Sequence, residues 1–257
     1  MTTTSSDSSI LRTDSLTKRY GGFVAIDSVD FSVTDGEIRS IIGPNGAGKT
    51  TFFNLLSGMT DVTAGTIEFR GSDITSLAPA EIARAGISRS FQITNIFGEF
   101  TVRENLQLVL QGAYVEELGS VNTFLKPTEE LTAVNERAEE LLNQLGLAEM
   151  GDKLAQNLSH GDQRRLDLGV ALAADPDVIL LDEPMAGVGA TEKQETVAII
   201  EDVLADKTVL LVEHEMNLVM EISDRITVLH QGSVIADGEP EEIAADPEVR
   251  EAYLGEV

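Results

Sequence analysis

The sequence predicts an α/β protein, and three stretches carry that expectation. The first is residues 37–42, a strand pattern that runs straight into Gly43-Pro44-Asn45-Gly46-Ala47-Gly48-Lys49-Thr50-Thr51 and then into the helical 52–56. The second is Val178-Ile179-Leu180-Leu181, an apolar run of the kind found in strands buried on both faces, closed by Asp182-Glu183. The third lies between them: 97–158 carries helical patterns, clearest over 131–145, and lacks strand signals. With 42% hydrophobic residues in a chain of 257, there is ample material for a proper core.

The other elements follow in chain order. Residues 1–13 read as a disordered tail, and the Thr/Ser-rich start has no apolar core of the signal-peptide kind. Residues 16–20 are strand-like and end at the turn Gly21-Gly22. Val29, Phe31 and Val33 alternate with Asp30 and Ser32, the period-two pattern of a half-buried strand. Asp35-Gly36 is a hairpin turn signal. Residues 112–128, with Pro127, read as an irregular, loop-rich insert. Beyond the second carboxylate strand, 208–212 is a short β run, and 225–229 and 233–235 read as edge strands. Two short helices follow, after Gly238-Glu239-Pro240 and after Asp246-Pro247. No apolar run approaches the roughly 18 residues of a membrane-spanning helix.

Charge narrows the function. Asp and Glu number 44 against 18 Lys and Arg, a net charge of −26. That argues against a nucleic-acid binder, which needs clustered cations to meet phosphates. Self-repulsion of this size destabilises a fold at low ionic strength and matters little near 1 M salt, where the Debye length is roughly 3 Å. The composition therefore suggests a halophilic protein from a cell with concentrated salt in its cytoplasm, with a merely soluble acidic protein as the alternative reading. The absence of cysteine excludes disulfides, thiolate zinc sites and iron–sulfur clusters, and cytoplasm is the default compartment.

The loop at 43–51 fits G-x-x-x-x-G-K-[ST] with strand before and helix after, the context a phosphate-binding loop requires. Gly43, Gly46 and Gly48 let successive backbone N–H groups point inward as an anion nest, to which the helix N-terminus adds positive potential. Lys49 then reaches the β- and γ-phosphates, and Thr50 offers a hydroxyl to Mg²⁺. Asp182, at the carboxyl end of its strand, stands where α/β sheets place ligands and suits Mg²⁺ held through water. Glu183 is placed to take a proton from attacking water as a general base. In Leu158-Ser159-His160-Gly161-Asp162, Ser159 followed three residues later by Asp162 is a capping box, so a helix N-terminus is expected there.

This last stretch resembles the L-S-G-G-Q signature of the ATP-binding subunits of ABC transporters, and the resemblance extends over nearly the whole chain. It implies a P-loop NTPase (ABC ATPase) core with an antiparallel β subdomain and an inserted helical subdomain. The core spans 14–96 and 159–240, the insert 97–158 and the C-terminal helices 241–257 of a single domain, 14–257. Tyr20 matches the aromatic that stacks on adenine, and Asn45 and Thr51 fall within the ATP-binding loop. Gln92 matches the glutamine that touches Mg²⁺ and relays its state to the membrane partner. His214 matches the histidine that hydrogen-bonds the γ-phosphate. Gly187-Val188-Gly189 falls where the dimer-contacting loop lies, without the usual acidic or amide residue. Ser159 and the backbone of Gly161 are the residues implied to meet the ATP of a partner subunit, because His160 and Asp162 depart from the common signature.

The variant signature is similar to that of importers of branched-chain amino acids and urea. Three further stretches resemble the LivG-type branched-chain amino acid branch: 88–92 with Phe97 and 101–106, then 213–220, and the ending Ala252-Tyr253-Leu254-Gly255-Glu256. The resemblance implies ATP and Mg²⁺ as cofactors and a head-to-tail dimer of identical or homologous ATP-binding subunits. It also implies membrane permease partners at the cytoplasmic face, an extracellular solute-binding protein acting indirectly, and no nucleic acid. Phe97, Phe100 and Val102 are candidate permease contacts, with a place in the buried core as the alternative reading of these apolar residues. The same role for urea or another small solute is one alternative. A non-transport ABC ATPase is a second, but long coiled-coil inserts and tandem modules are absent. A GTPase lacks its N-K-x-D motif here, and a small-molecule kinase leaves 159–163 unexplained.

Overall fold

The computed structural model describes residues 9–90, 96–118, 132–185, 197, 204 and 206–254. These fall into two compact units, one drawn from 1–89, 177–183 and 205–257, the other from 90–176 and 184–204.

The first unit holds two sheets. β1 (Ser9–Tyr20), β2 (Phe23–Thr34), β4 (Ala64–Phe69) and β5 (Ser72–Asp73) make an antiparallel sheet in the order β2-β1-β4-β5. The second sheet contains β3 (Ile38–Ile42), β6 (Ile87–Ser90), β7 (Val178–Asp182), β8 (Thr208–Val212), β9 (Arg225–His230) and β10 (Ser233–Gly238), ordered β10-β9-β3-β8-β7-β6. Pairing is parallel for β3–β8, β3–β9 and β7–β8, and antiparallel for β9–β10. Every residue of β7 and β8 is buried, as their unbroken apolar runs require of strands covered on both faces.

Alternation along β3 divides the apolar side chains between two cores. Ile41 joins Leu11, Phe31, Phe52, Phe53, Val178 and Leu210 in the larger one. There, α1 (Lys49–Leu56) presents Phe52 edge-on to Phe31, with ring centroids 5.3 Å apart. Ile42 faces the other way, toward Val219, Ile226, Val228, Ile243 and Val249. Three short helices, α6 (Met216–Ile222), α7 (Pro240–Ala245) and α8 (Pro247–Leu254), supply that second layer, while α2 (Pro79–Ala85) adds Ile82 to the first. An ionic cluster, buried at Arg39 and partly open at Asp237, ties β3 to β10. Arg39 Nε donates to Glu37 at 2.6 Å and its Nη1 to Asp237 at 2.8 Å, and Asp237 also accepts from Arg225 and Thr227. The hydrogen bond to Asp237 holds the Arg225 guanidinium above its ordinary pKa.

The second unit is helical, built on α3 (Val102–Leu118), α4 (Thr132–Gln144) and α5 (His160–Ala173). Leu106, Leu141, Leu142, Leu145 and Leu166 are buried in it. Gly169 allows the close packing, since a Cβ there would run into Leu145 and meet Leu106 at 3.1 Å. The box Thr101-x-x-Glu104 caps α3: Thr101 Oγ1 accepts from Glu104 N, and the Glu104 carboxylate accepts from Thr101 N.

Five sequence expectations change. Residues 9–13 belong to β1 rather than to a tail, because Ile10 and Leu11 are buried; Leu11 lies opposite both Val33 of β2 and Phe69 of β4. Asp35-Gly36 turns the chain from one sheet to the other, so no hairpin forms. β9 is an interior strand, paired with β3 on one side and β10 on the other. Residues 112–118 continue α3, and 119–128 lie outside the described residues. The insert extends past residue 158: α5 packs within the helical unit, its apolar face taken by α3 and α4.

Candidate nucleotide site

Parallel strands bring the site residues of the first unit together at their carboxyl ends, where neighbouring loops converge. β3 ends at Ile42, and the loop 43–48 turns directly into α1. Two glycines there are fixed by geometry. Gly43 lies so close to the Leu229 carbonyl that a Cβ has no room. Gly48 has φ +110°, and a side chain would meet the Ala25 carbonyl at 2.8 Å. Gly46, at φ +79°, gives the loop its inward backbone turn. Lys49 is buried and folded back, its Nζ donating to the carbonyls of Gly43 (2.5 Å) and Pro44 (3.1 Å). Both of these acceptors are neutral carbonyls, weaker partners for the ammonium than a dianionic phosphate.

Above this loop lies a cleft of 270 Å³ lined by Phe23, Ala25, residues 45–51, Glu183 and His214. Asn45, Gly46, Gly48, Lys49, Thr50 and Thr51 therefore meet Glu183 and His214 in one place. β7 and β8 are neighbours, so Glu183, following Asp182, and His214, two residues past Val212, emerge side by side. His214 Nε2 stands 2.8 Å from Glu183 Oε1. Glu183 takes a left-handed backbone, φ +51°, with its N–H donating to the Val212 carbonyl at 2.9 Å. For a non-glycine residue that conformation is strained, and here it turns a carboxylate into the cleft.

Asp182 is buried at the end of β7 and does not line the cleft; its Oδ2 accepts from Arg89 Nη2 at 2.7 Å. Arg89, on neighbouring β6, also donates to Asn54 (2.6 Å) and Ser57 (3.2 Å) in and just beyond α1. In the sequence Arg89 stands within the stretch similar to the branched-chain amino acid branch, and its local pattern assigns it no role. The available signal is an arginine inside a strand, where a guanidinium that becomes buried costs free energy unless it is paired.

Tyr20 ends β1, half exposed, with the Lys18 ammonium 5.0 Å from its ring centroid. It is not among the cleft's lining residues, whereas Phe23, to which the sequence pattern assigns no role, is. Ser159 and Gly161 stand on the helical unit. Ser159 caps α5, its Oγ accepting from Asp162 N at 3.2 Å. The return leg differs from the expected capping box: the Asp162 carboxylate accepts from the Ser159 hydroxyl at 2.7 Å. Gln92 and Gly187-Val188-Gly189 lie outside the described residues.

The ABC transporter family profile matches residues 26–186, and a profile described as branched-chain amino acid ATP-binding cassette transporter matches residues 233–257. The chain belongs to the ABC transporter family. The high-affinity branched-chain amino acid transport ATP-binding protein LivG of Salmonella typhimurium is 42% identical over 252 residues, covering 96% of this chain and 98% of LivG. Among solved structures, the ADP conformation of the ATP-binding cassette MJ1267 superposes with a TM-score of 0.81 at 35% identity, covering 96% of this chain and 99% of that one. The dimeric post-hydrolysis state of the cassette MJ0796, bound to ADP and Pi, gives 0.75 at 25% identity, covering 90% and 98%. This ABC protein is an ATPase by family, and none of the helices described is long and apolar enough to cross a membrane.

Proposed function

We propose that the chain is the ATP-hydrolysing subunit of an importer for branched-chain amino acids. One observation carries the reading: the phosphate-binding loop and the Glu183–His214 pair share a single cleft. Lys49 and the loop N–H groups bind the β- and γ-phosphates of ATP. Glu183 accepts the proton of the attacking water, and His214 orients that carboxylate and reaches the γ-phosphate. The 25-residue C-terminal match favours branched-chain amino acids over urea.

Mg²⁺ fits the donors present, since Thr50 and Asp182 offer only oxygen, the ligand type this ion prefers alongside substrate phosphates. It would supply charge neutralisation at the phosphates. Arg89 meanwhile pairs with Asp182 at 2.7 Å and fixes the direction of its carboxylate from the buried side.

Ser159 and Gly161, at the N-terminus of the 14-residue α5, serve the ATP of a second, head-to-tail subunit. Membrane permease subunits are the other partners, with the chain peripheral on the cytoplasmic face and a solute-binding protein acting from outside. Phe97 and Phe100 support the permease contact: both rings are exposed and 5.4 Å apart. Asn105 clamps their loop, accepting from Phe97 N and donating to the carbonyls of Phe97 and Thr101. Val102 is fully buried and leaves that set. The net charge of −26 supports a protein adapted to concentrated salt.

The test is ATP-driven uptake of leucine into vesicles carrying this chain with its permeases. Lys49→Ala, which removes the cation over the loop, abolishes both uptake and ATPase activity. Full activity in that variant would overturn the site.

A further inference from the structure

We propose that the turn between β9 and β10 is a positioning element of the nucleotide site: the Gly232 N–H, by holding the Ala47 carbonyl, aims the Gly48 N–H of the phosphate-binding loop into the cleft. The inference rests on the reading of the cleft as an ATP site and adds the group that sets the direction of one of its donors.

Gln231 and Gly232 join the two strands, with His230 paired to Ser233 across the turn. Both central residues have positive φ, +48° and +84°, as the tightest hairpin turns require. Such a turn closes through its flanking residues and leaves both polar groups of the second central residue unused. Gly232 is nonetheless buried, so both of its groups need partners. One lies in the phosphate-binding loop and one in β2: the Gly232 N–H donates to the Ala47 carbonyl at 2.9 Å, and its carbonyl accepts from Asp27 N at 2.9 Å.

In a trans peptide the C=O and N–H lie in one plane and point opposite ways. With the Ala47 carbonyl turned toward Gly232, the Gly48 N–H of the same peptide points the other way, toward the cleft that Ala47 and Gly48 line. Among the described residues no acceptor meets that N–H, which leaves it to an anion. Flipping this one peptide would present a carbonyl to the phosphates in place of a donor. Gly48, at φ +110°, has the backbone freedom to allow the flip, and the bond to Gly232 removes it.

The same hairpin meets the other end of the loop, because a Cβ on Gly43 would run into the Leu229 carbonyl. Position 232 itself has no room for a side chain: a Cβ there would stand 2.8 Å from the Ala25 carbonyl oxygen and 3.3 Å from the Ile26 Cα. Gly232 does not line the cleft, so it acts on the ligand only through Ala47 and Gly48.

The experiment uses the full chain, inorganic tripolyphosphate as ligand, and calorimetry in concentrated KCl. The amide between residues 231 and 232 is replaced by an ester, which deletes the Gly232 N–H and alters no side chain. Because the chain has no cysteine, a synthetic segment beginning at Ala205 can be joined by ligation and desulfurisation without leaving a trace. The ester is expected to weaken tripolyphosphate about tenfold and to reduce the slowing of Gly48 amide exchange that saturating ligand causes. Ile82→Val, a change in the buried core on α2 and outside the cleft, is the destabilised control and should leave affinity unchanged. Gly232→Ala, whose side chain pushes the turn off Ala25, should act in the same direction as the ester and decides the matter if the ester chain does not refold. Unchanged affinity in the variant that folds overturns the proposal. So does a loss that Ile82→Val reproduces, since affinity would then follow stability alone. If the unmodified chain fails to bind tripolyphosphate, or binds it equally well after Lys49→Ala, the ATP-site reading itself fails, and this inference with it.

Discussion

The Arg89–Asp182 pair gives the strictest test of the site's construction. Its side chains are 7% and 5% exposed, and the guanidinium nitrogen stands 2.7 Å from the carboxylate oxygen. Neither charge can fall back on bulk water. Removing one partner of such a pair leaves the other buried and uncompensated, at a cost of about 3–5 kcal/mol. Arg89→Met strands the carboxylate; Asp182→Asn strands the guanidinium, although Asn54 and Ser57 still accept from it and hold the cost near the lower figure. At about 2–4 °C per kcal/mol for a domain of this size, each single variant should melt roughly 6–20 °C lower. The double variant Arg89→Met/Asp182→Leu buries no charge and should recover most of that loss, because apolar replacements of buried pairs are often neutral or stabilising. Paired thermal and urea melts in concentrated KCl measure the cycle. Singles that each stay within about 0.5 kcal/mol of the unmodified chain, or that simply add, refute the argument that this pair is structurally coupled.

Other outcomes follow from the same geometry. Glu183→Gln should keep ATP affinity and slow turnover by at least about 10²-fold, with an ATP-bound dimer accumulating on size-exclusion chromatography; normal turnover reassigns the base. Ser159→Ala should cost about 1 kcal/mol through loss of the α5 cap and leave ATP affinity of the monomer unchanged. Its assembled ATPase should nonetheless fall steeply; a variant whose activity tracks only its stability loss removes Ser159 from the partner's site. A melt of the unmodified chain should rise with KCl from dilute buffer toward the molar range, because 44 acidic residues face 18 basic ones; a flat profile removes the high-salt argument.

The sequence by itself determined what is local or periodic. Strand, loop and helix around Lys49 were legible because glycine spacing and the apolar run before it leave one backbone path. The buried β7 and β8 showed in their unbroken apolar residues, and the cap at Ser159 in a polar residue just ahead of a helical pattern. What needed the tertiary structure was pairing across long sequence separations. Ile10 and Leu11 look like the end of a polar tail until β2 and β4 cover them. Asp35-Gly36 has the chemistry of a hairpin, yet the strands it joins enter different sheets because β3 finds its partners in β8 and β9. The binding of Arg89 to Asp182, 93 residues away, and of Glu183 to His214, 31 residues away, depends on which strands lie adjacent. No local pattern encodes that order. It is set by how apolar strand faces are shared between two cores, and so the fold decided which acid meets which base.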